Sequence, residues 1–369
     1  MQFNKDGKFK LLVLADPQDG YPLEQDMTAF FCEALDLTRP DLVVFLGDMI
    51  AAPKLVNSNE EYLKAYDELL TPLTERGIPF SLVFGNHDQE KMPSTTKEEK
   101  LAKYMSYKGC LAYDAEPSLH GCATHNIEIK SSDGSCTAFN LWFMDSGEYA
   151  YDSKGNKYYD CVRKDQIDWY LKKSAELERA NGKKVNSFMF QHIVPADVAK
   201  QVMVTLPFHI GRLARTNLND GTAVTYLPNI FGFESGFPFE CLGNSRDNEG
   251  QWDALAERGD VLACFFGHDH KNTYCARVKG VDAVAVHSCT YKAYHDNTHQ
   301  GALLLTLDES TPSEYKAEYI YTNDIALREG SRLPLLSRDK RDYEKSRSKR
   351  LRLHRLLSLR ARFVSLLRK

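Results

Sequence analysis

The chain contains 369 residues, of which 43% are hydrophobic and 27% charged, and its formal net charge is −4 at pH 7. This composition is that of a folded globular protein and argues against a disordered chain. The sequence has no run of 18 apolar residues, which argues against a membrane-spanning segment. Large α/β layers can reach this length as one unit, so we expect one large domain with appendages.

The charge is distributed unevenly along the chain. Residues 338–369 carry 13 Lys or Arg against 3 Asp or Glu, a local charge of about +10, which leaves about −14 for the remainder. An acidic body and a basic tail need separate explanations. We therefore predict one domain over residues 1–330 and a basic, partly helical C-terminal tail over residues 331–369.

The first part of the chain predicts a parallel sheet. Strands are predicted at three apolar runs: Lys10–Ala15, Leu42–Leu46 and Phe80–Phe84. The segment between the first two has apolar residues at helical spacing: Met27, Phe30, Phe31, Ala34 and Leu35. A second helix is predicted over Asn59–Arg76. This βαβαβ order favours parallel strands joined by right-handed crossovers.

The second part predicts more strands and two helices. The strands are predicted at Asn126–Lys130, Ala138–Met144, Ser187–Gln191, Val261–Phe266, Ala283–His287, Ala302–Leu307 and Tyr315–Tyr321. The helices are predicted at Lys164–Ala180 and Gln251–Arg258. Because few helices separate the last four strands, they favour a second, more antiparallel sheet. Residues 195–248 lack periodicity and exceed an ordinary connection, so we interpret them as loops bordering a site.

Polar residues follow several predicted strands at the point where each strand ends. They are Asp16, Asp48, Asn86, His87, His192, His268 and His270. Ligands of open α/β sheets bind at the carboxyl ends of the strands. Carboxylate and amide oxygens mixed with imidazoles suit manganese, iron or zinc better than calcium or magnesium alone. The pattern therefore predicts a metal site at this edge.

The same residues lie in five short blocks that carry a family resemblance. In chain order the blocks are Asp16-Pro17-Gln18, Gly47-Asp48, Gly85-Asn86-His87-Asp88, Gln191-His192 and Gly267-His268-Asp269-His270. Each block is common alone, but the ordered set resembles the signature of calcineurin-like metallophosphoesterases over residues 15–270. The run Asp269-His270-Lys271-Asn272 and the triplet Asp145-Ser146-Gly147 resemble the branch related to purple acid phosphatases.

The resemblance implies a fold and a dinuclear metal centre. The implied fold is a four-layer α/β/β/α sandwich with two mixed sheets. Asp48 is expected to bridge two divalent metal ions, which are manganese, iron or zinc. The remaining ligands implied are Asp16 and His270 on the first metal, and Asn86, His192 and His268 on the second.

Gln18 is the one departure from the family's pattern. The first block of the family usually reads Asp-x-His, and a neutral amide is a weaker ligand than an imidazole. Gln18 is kept as a candidate metal ligand, beside the alternative of a turn residue in solvent, and we expect the first metal to be more loosely bound. Ala51 stands where purple acid phosphatases have a tyrosine, which argues against a tyrosinate-bound iron.

The implied function is hydrolysis of a phosphate monoester by attack of a metal-bridging hydroxide. His87 is expected to protonate the leaving group or stabilise the transition state. Asp88 and Asp269 are candidates for orienting the histidines. The substrate is either a small molecule or a phosphoprotein. A phosphodiesterase or nuclease with the same centre is the alternative, followed by a non-catalytic metal-binding scaffold.

Other residues are open to more than one interpretation. His295 follows a late strand, where it could reach the cleft, although a surface or core histidine is favoured. Arg212 and Arg215 could bind a phosphate, but solvated loop arginines are commoner. The basic tail could pack against the body or a second subunit, lie on an anionic membrane surface, or contact nucleic acid.

The expected location is the cytoplasm. Residues 1–6 run directly into the first predicted strand, without the basic and apolar regions of a signal peptide. Nine cysteines without a Cys-x-x-Cys pair are typical of reduced thiols in a core. The basic tail leaves peripheral attachment to a membrane open.

Overall fold

The computed structural model describes residues 1–51, 55–89, 95–206, 214–216 and 223–367. Its helices are α1 Gln25–Thr38, α2 Asn59–Arg76, α3 Lys97–Met105, α4 Lys164–Asn181, α5 Ala196–Val202, α6 Gln251–Arg258, α7 Thr322–Ala326 and α8 Lys340–Leu367. Its strands β1 to β8 are Lys8–Leu14, Leu42–Phe45, Phe80–Leu82, His125–Lys130, Thr137–Phe143, Tyr149–Tyr151, Lys157–Tyr159 and Ser187–Gln191. Strands β9 to β16 are Met203–Leu206, Ala214–Thr216, Ala223–Pro228, Val261–Phe266, Cys275–Val278, Val281–Ala285, Gly301–Asp308 and Tyr315–Tyr321.

The first sheet has the strand order β16-β15-β1-β2-β3. Strands β1, β2 and β3 are parallel, which confirms the arrangement predicted from the βαβαβ pattern. Helices α1 and α2 cover the outer face of this sheet, where Phe30 and Phe31 of α1 and Tyr66 of α2 join one hydrophobic core. Strand β15 continues the sheet by pairing antiparallel with β1.

The second sheet has the order β13-β14-β12-β8-β5-β4 and a parallel centre. Strands β5, β8, β12 and β14 run parallel, and only the outer strands β13 and β4 pair antiparallel. The prediction that the last four predicted strands form this sheet is therefore wrong. Two of them, β12 and β14, lie in it, whereas β15 and β16 extend the first sheet.

The two sheets pack face to face between two helical layers. Leu11 and Val13 of β1 meet Phe188 of β8 and Phe265 of β12 in the core between the sheets. A separate core under α4 and α6 covers the outer face of the second sheet and includes Trp252. These three cores confirm the α/β/β/α sandwich with mixed sheets.

The interpretation of residues 195–248 as loops is wrong in part. This segment contains α5 and a three-stranded antiparallel sheet of order β10-β11-β9. Its strands are only three to six residues long, which is too short for a periodicity strong enough to detect. Arg212 lies outside the described residues, and the side chain of Arg215 in β10 is not among those described.

The basic tail forms α8, and its first turns pack against the body. Tyr343 is fully buried, and its hydroxyl donates a hydrogen bond to Asp324 at 2.7 Å. The guanidinium of Arg350 lies 3.8 Å from the ring centroid of Tyr321. Packing thus accounts for this part of the tail, while contact of the rest with a membrane or nucleic acid stays a prediction. Within the described ranges, no helix is both long and apolar enough to cross a bilayer.

Candidate metal centre

The two sheets bring the predicted site residues to one edge. Strands β1, β2 and β3 end next to one another, and so do β8 and β12 of the facing sheet. The loops after these strands carry seven side chains that are all buried: Asp16, Gln18, Asp48, Asn86, His192, His268 and His270. Residues far apart in the chain therefore share one site because parallel strands end at the same edge.

The loops that carry these residues have a tight backbone. Asp16, Gln18, Asp48 and His268 all have positive φ, between 39° and 71°. Such a conformation costs a non-glycine residue about 1–3 kcal/mol, and it persists only where the surroundings impose it. The loops after β2 and β3 touch, since a Cβ on Gly47 would lie 2.4 Å from the backbone nitrogen of Gly85. This contact explains the glycine in the second block.

Asp88 holds these two loops together. Its buried carboxylate accepts backbone N–H bonds from Asp48 at 2.7 Å, Met49 at 2.9 Å and Gly85 at 2.8 Å. The expectation that Asp88 orients a histidine ring is therefore replaced by a different role. It fixes the backbone on both sides of Asp48.

One half of the centre is built around His192. Nδ1 of His192 lies 2.6 Å from the carbonyl oxygen of Leu46, which assigns the ring proton to Nδ1. The lone pair of Nε2 then faces two oxygens, Asn86 Oδ1 at 3.1 Å and Asp48 Oδ2 at 3.2 Å, and also Nδ1 of His268 at 3.2 Å. Nitrogen and oxygen atoms that lie this close to Nε2 fit a cation between them. We call Asp48, Asn86, His192 and His268 the His192 half.

The charge of His192 responds to this arrangement. Burial disfavours the imidazolium, but the neighbouring carboxylates of Asp48 and Asp16 outweigh it and raise the pKa of His192 to about 10. Without a metal ion, a proton therefore occupies the position between these groups. When a metal ion binds, Nε2 of His192 loses this proton and its lone pair is free to bind the metal.

The other half of the centre is built around His270. Nδ1 of His270 lies 2.6 Å from the carbonyl oxygen of Tyr294, and the two rings stack with centroids 4.1 Å apart. Nε2 faces Asp16 Oδ1 at 3.6 Å. Burial lowers the pKa of His270 to about 4, so this ring is neutral at pH 7 and has a lone pair on Nε2.

Asp16 carries an oxygen that a cation would satisfy. Its Oδ2 accepts the backbone N–H of His268 at 2.9 Å, but Oδ1 is buried and has no hydrogen-bond partner within the described part of the chain. Burial raises the pKa of this carboxyl well above its usual range. An isolated buried carboxylate oxygen is unfavourable, and a metal ion would compensate it. We call Asp16, Gln18, Asp48 and His270 the His270 half.

Asp48 belongs to both halves. Its Oδ1 accepts the backbone N–H of His87 at 2.7 Å, and its Oδ2 accepts the amide N–H of Gln18 at 2.9 Å. Burial would raise the pKa of Asp48, but the adjacent His192 outweighs it and moves the pKa below its usual range. The carboxylate is therefore ionised and held by donors on both oxygens.

The ligand types and their burial are consistent with a metal site. The candidate ligand atoms of Asp48, His192 and His268 all lie within 4.8 Å of one another. Together with the unpartnered oxygen of Asp16, this cluster suggests binding of divalent metal ions. Imidazole nitrogens and carboxylate oxygens form the set.

A cleft of about 890 Å³ opens above these residues. Its floor is formed by Gln18, Asp48, His87, His268 and His270. Gly243 lies against the floor, since a Cβ there would be 2.4 Å from Nε2 of His268. Described residues of the segment 195–248, such as Lys200 and Met203, line the cleft, as predicted.

The walls of the cleft contain residues that the sequence analysis missed. They are the basic Lys200, Arg246 and Lys292 and the aromatic Tyr159, Tyr226 and Tyr294. They belong to no motif, and only their position in or near the aperiodic segment could have indicated some of them. His295 does not line this cleft, and its ring instead contacts the carbonyl oxygen of Ala293 at 2.9 Å.

The triplet Asp145-Ser146-Gly147 contacts the loop that carries His192. The carboxylate of Asp145 is fully buried, pairs with Lys97 at 2.9 Å and accepts the N–H of Gly147. The hydroxyl of Ser146 accepts the backbone N–H of Ile193 at 2.9 Å, next to His192. This triplet therefore positions the loop after β8.

Comparison with known proteins bears out the resemblance. A family model described as "Calcineurin-like phosphoesterase" matches residues 9–272, a range that includes all five blocks. The chain is 28% identical over 320 residues to "Probable inactive purple acid phosphatase 14" of Arabidopsis thaliana. That alignment covers 80% of this chain and 73% of the relative.

Two further similarities involve proteins with phosphatase in their names. The chain is 26% identical over 295 residues to "Phosphatase DCR2" of Saccharomyces cerevisiae, which covers 75% of this chain and 46% of that protein. A solved structure of a dimetal phosphatase from Danio rerio is similar with a TM-score of 0.48 and 12% identity. That similarity covers 82% of this chain and 93% of the other.

Proposed function

Because this chain belongs to the calcineurin-like phosphoesterase family, we propose that it is a metal-dependent enzyme that hydrolyses a phosphate monoester. The observation that carries the proposal is the shared carboxylate of Asp48 between two groups of buried ligands. Some relatives carry the word inactive in their names. The presence of His87 in the cleft, beside six of the family's ligand side chains and Gln18, supports an active centre here.

The proposed ligands follow the two halves. Asp48 would bridge two divalent ions. The other ligands would be Asp16 and His270 in the His270 half, and Asn86, His192 and His268 in the His192 half. Gln18 would orient Asp48 through its N–H, as the 2.9 Å hydrogen bond supports, and leave its carbonyl oxygen as a weak additional ligand.

The protein's own groups prepare the reaction in the cleft. When bound, two divalent ions would supply charge to phosphate oxygens and lower the pKa of a water towards neutrality. His87 would hold the proton that the leaving alkoxide needs, since this residue lines the cleft while its backbone N–H donates to Asp48. Lys200, Arg246 and Lys292 would attract an anionic substrate to the cleft.

The shape of the cleft favours a small substrate. Its walls include Leu55, Met203 and Leu242, so an organic leaving group has apolar surface to contact. A volume of about 890 Å³ lies in the range of small-molecule sites. We therefore place a small phosphomonoester before a phosphoprotein.

Hydrolysis of a chromogenic phosphomonoester and its bis-ester tests this proposal. The full chain is stripped of metal and then assayed after addition of manganese, iron or zinc. Turnover of the monoester that returns with metal is the expected result. Faster hydrolysis of the bis-ester would mean that the enzyme is a phosphodiesterase and not a phosphomonoesterase. Two bound metals without turnover of either ester would contradict the proposed reaction and favour a metal-binding scaffold or a narrowly specific enzyme.

A further inference from the structure

The hairpin formed by β6 and β7 contacts the candidate metal centre through Tyr149 and Tyr159. We infer that this hairpin is a positioning element for the His192 half, in which Tyr149 orients the amide of Asn86 and Tyr159 supports the ring of His268. The inference rests on the proposed metal centre. Tyr149 and Tyr159 lie outside the family's five blocks, and the inference is that they hold the ligands of one of the two metal positions in place.

Tyr149 determines how the amide of Asn86 is held. The Nδ2 group of Asn86 donates to the hydroxyl of Tyr149 at 2.9 Å. The carbonyl oxygen Oδ1 therefore points the other way, to Nε2 of His192 at 3.1 Å. Asn86 is only 1% exposed, so water does not readily replace the hydroxyl. Without Tyr149, a buried N–H would lose its acceptor and the amide could turn its nitrogen towards the metal position.

The ring of Tyr149 is itself held within the hairpin. Tyr149 pairs with Tyr159 across the two strands, and the rings stack with centroids 5.6 Å apart. The ammonium of Lys157 lies 3.2 Å from the centroid of the Tyr149 ring. These contacts place the hydroxyl without relying on the bond to Asn86.

Tyr159 connects the same hairpin to a second ligand. Its ring meets the ring of His268 edge-on, with centroids 4.4 Å apart. The ring of His270 stacks on Tyr294 instead, which lies on another loop. One hairpin thus contacts two ligands of the His192 half.

Buried groups anchor the hairpin to the body. At its entry, Asp145 accepts the N–H of Gly147 at 2.9 Å and pairs with Lys97. After its exit, Asp160 accepts the N–H of Cys161 at 2.8 Å and pairs with Arg163. An element fixed at both ends can hold a ligand in place before the metal arrives.

The inference predicts a selective loss of metal affinity. Removing the hydroxyl in Tyr149→Phe keeps the aromatic ring and removes the acceptor for the amide of Asn86. Partners behind a metal ligand typically contribute about 10–100-fold to affinity. We expect Tyr149→Phe to weaken one of two binding events by this factor and to leave the other unchanged.

Calorimetric titration of the metal-stripped full chain with Mn²⁺ alone measures both events. Wild type, Tyr149→Phe and Tyr151→Phe are compared. Tyr151 is the matched control, because it lies on the same strand and is 64% exposed. Wild-type binding in Tyr151→Phe together with one weakened event in Tyr149→Phe is the expected result. Two unchanged events, or two equally weakened events, in Tyr149→Phe would overturn the inference.

A second background tests the role of amide orientation. In Asn86→Asp the two ends of the side chain are equivalent oxygens, so it no longer matters which end faces the metal. Tyr149→Phe should then cost less affinity in the Asn86→Asp background than in wild type. An equal loss in both backgrounds would contradict orientation of the amide.

The titration contains no ester, so it separates this inference from the proposed reaction. Two binding events in wild type that persist unchanged in Tyr149→Phe overturn the inference alone. Absence of Mn²⁺ binding in wild type overturns the metal centre and the inference with it. Normal binding and a selective loss, without turnover of any ester, would uphold the positioning role while contradicting the proposed reaction.

Discussion

The two halves of the candidate metal centre differ in how the protein holds their amide side chains. Each half has one imidazole fixed by a backbone carbonyl oxygen, His192 by Leu46 and His270 by Tyr294, both at 2.6 Å. In the His192 half, the hydroxyl of Tyr149 also fixes the amide of Asn86 at 2.9 Å. In the His270 half, the amide of Gln18 donates to the candidate ligand Asp48 itself and is a weaker ligand than an imidazole. The His192 half is therefore better prepared for a cation.

The difference has a consequence for binding. Ligands that are held in their bound geometry need less reorganisation, so a prepared site binds more tightly than a loose one. We expect the His192 half to bind its metal more tightly and the His270 half to exchange its metal more easily. The predictions below test this difference, starting with the largest effect.

Asp48→Asn should weaken metal binding in both halves and so remove the difference in affinity between them. It removes the negative charge that both share and leaves Gln18 and His87 without their charged acceptor. Since even outer partners of ligands contribute about 10–100-fold, we expect more than about 100-fold loss of affinity for both metals. Metal content after dialysis and phosphomonoester turnover measure this. Asp168→Asn, on the exposed face of α4, is the control, and retention of one tight metal in Asp48→Asn would contradict the shared role.

His87→Asn should separate the chemistry from metal binding. His87 lines the cleft, so loss of its imidazole should lower kcat by about 10²–10⁴-fold as for other general acids, with both metals retained. Steady-state kinetics beside metal analysis checks this. His295→Asn provides the control, because His295 is not among the residues that line the cleft and its ring contacts the carbonyl oxygen of Ala293. Loss of metal in His87→Asn would argue for a structural role instead.

Graded addition of Mn²⁺ should reveal the two halves one after the other. A metal at about 100 times its dissociation constant raises the free energy of unfolding by about 2.7 kcal/mol. In urea denaturation of the metal-stripped chain, the free energy of unfolding should rise with the logarithm of Mn²⁺ concentration, first with the slope for one bound metal and at higher concentration with twice that slope. Asn86→Ala should remove the rise at low Mn²⁺ concentration. A direct rise with the slope for two metals in wild type would mean that the halves bind with equal affinity.

Gln18→His should strengthen the weaker half. An imidazole is a better ligand than an amide, and histidine tolerates the positive φ of 39° at this position better than most residues. We expect the weaker Mn²⁺ site to gain about tenfold in affinity, equivalent to about 1.4 kcal/mol. Calorimetry compares it with Gln18→Asn, which shortens the amide without adding an imidazole. If the stronger Mn²⁺ site became tighter instead, Gln18 would belong to the His192 half and our assignment would be wrong.

Much of the secondary structure was predictable because it follows from the hydrophobic pattern within each segment. The bounds of α2, α6, β8, β12 and β16 agree with the predicted segments. The sheet to which β15 belongs was not predictable, because its partner β1 lies almost 300 residues earlier in the chain. Pairing between distant strands depends on the packed core and not on either strand's own sequence.

The site divides in the same way. Asp16, Asp48, Asn86, His192, His268 and His270 were found because each follows a strand in a recognisable block. Tyr149, Tyr159 and Arg246 lie in no block, and they reach the site only through the hairpin and the cleft wall. Asp88 was found, but its three backbone partners were not.

The sequence by itself determined the alternation of strands and helices, the family and the side chains at the strand ends. These follow from periodicity and from short motifs, which act over a few residues. Only the tertiary structure decided which strands share a sheet, which oxygen of Asp16 lacks a partner, and which hydroxyl holds Asn86. Those features depend on contacts between distant segments, because hydrogen-bond partners in a buried site are chosen by geometry and not by position in the chain.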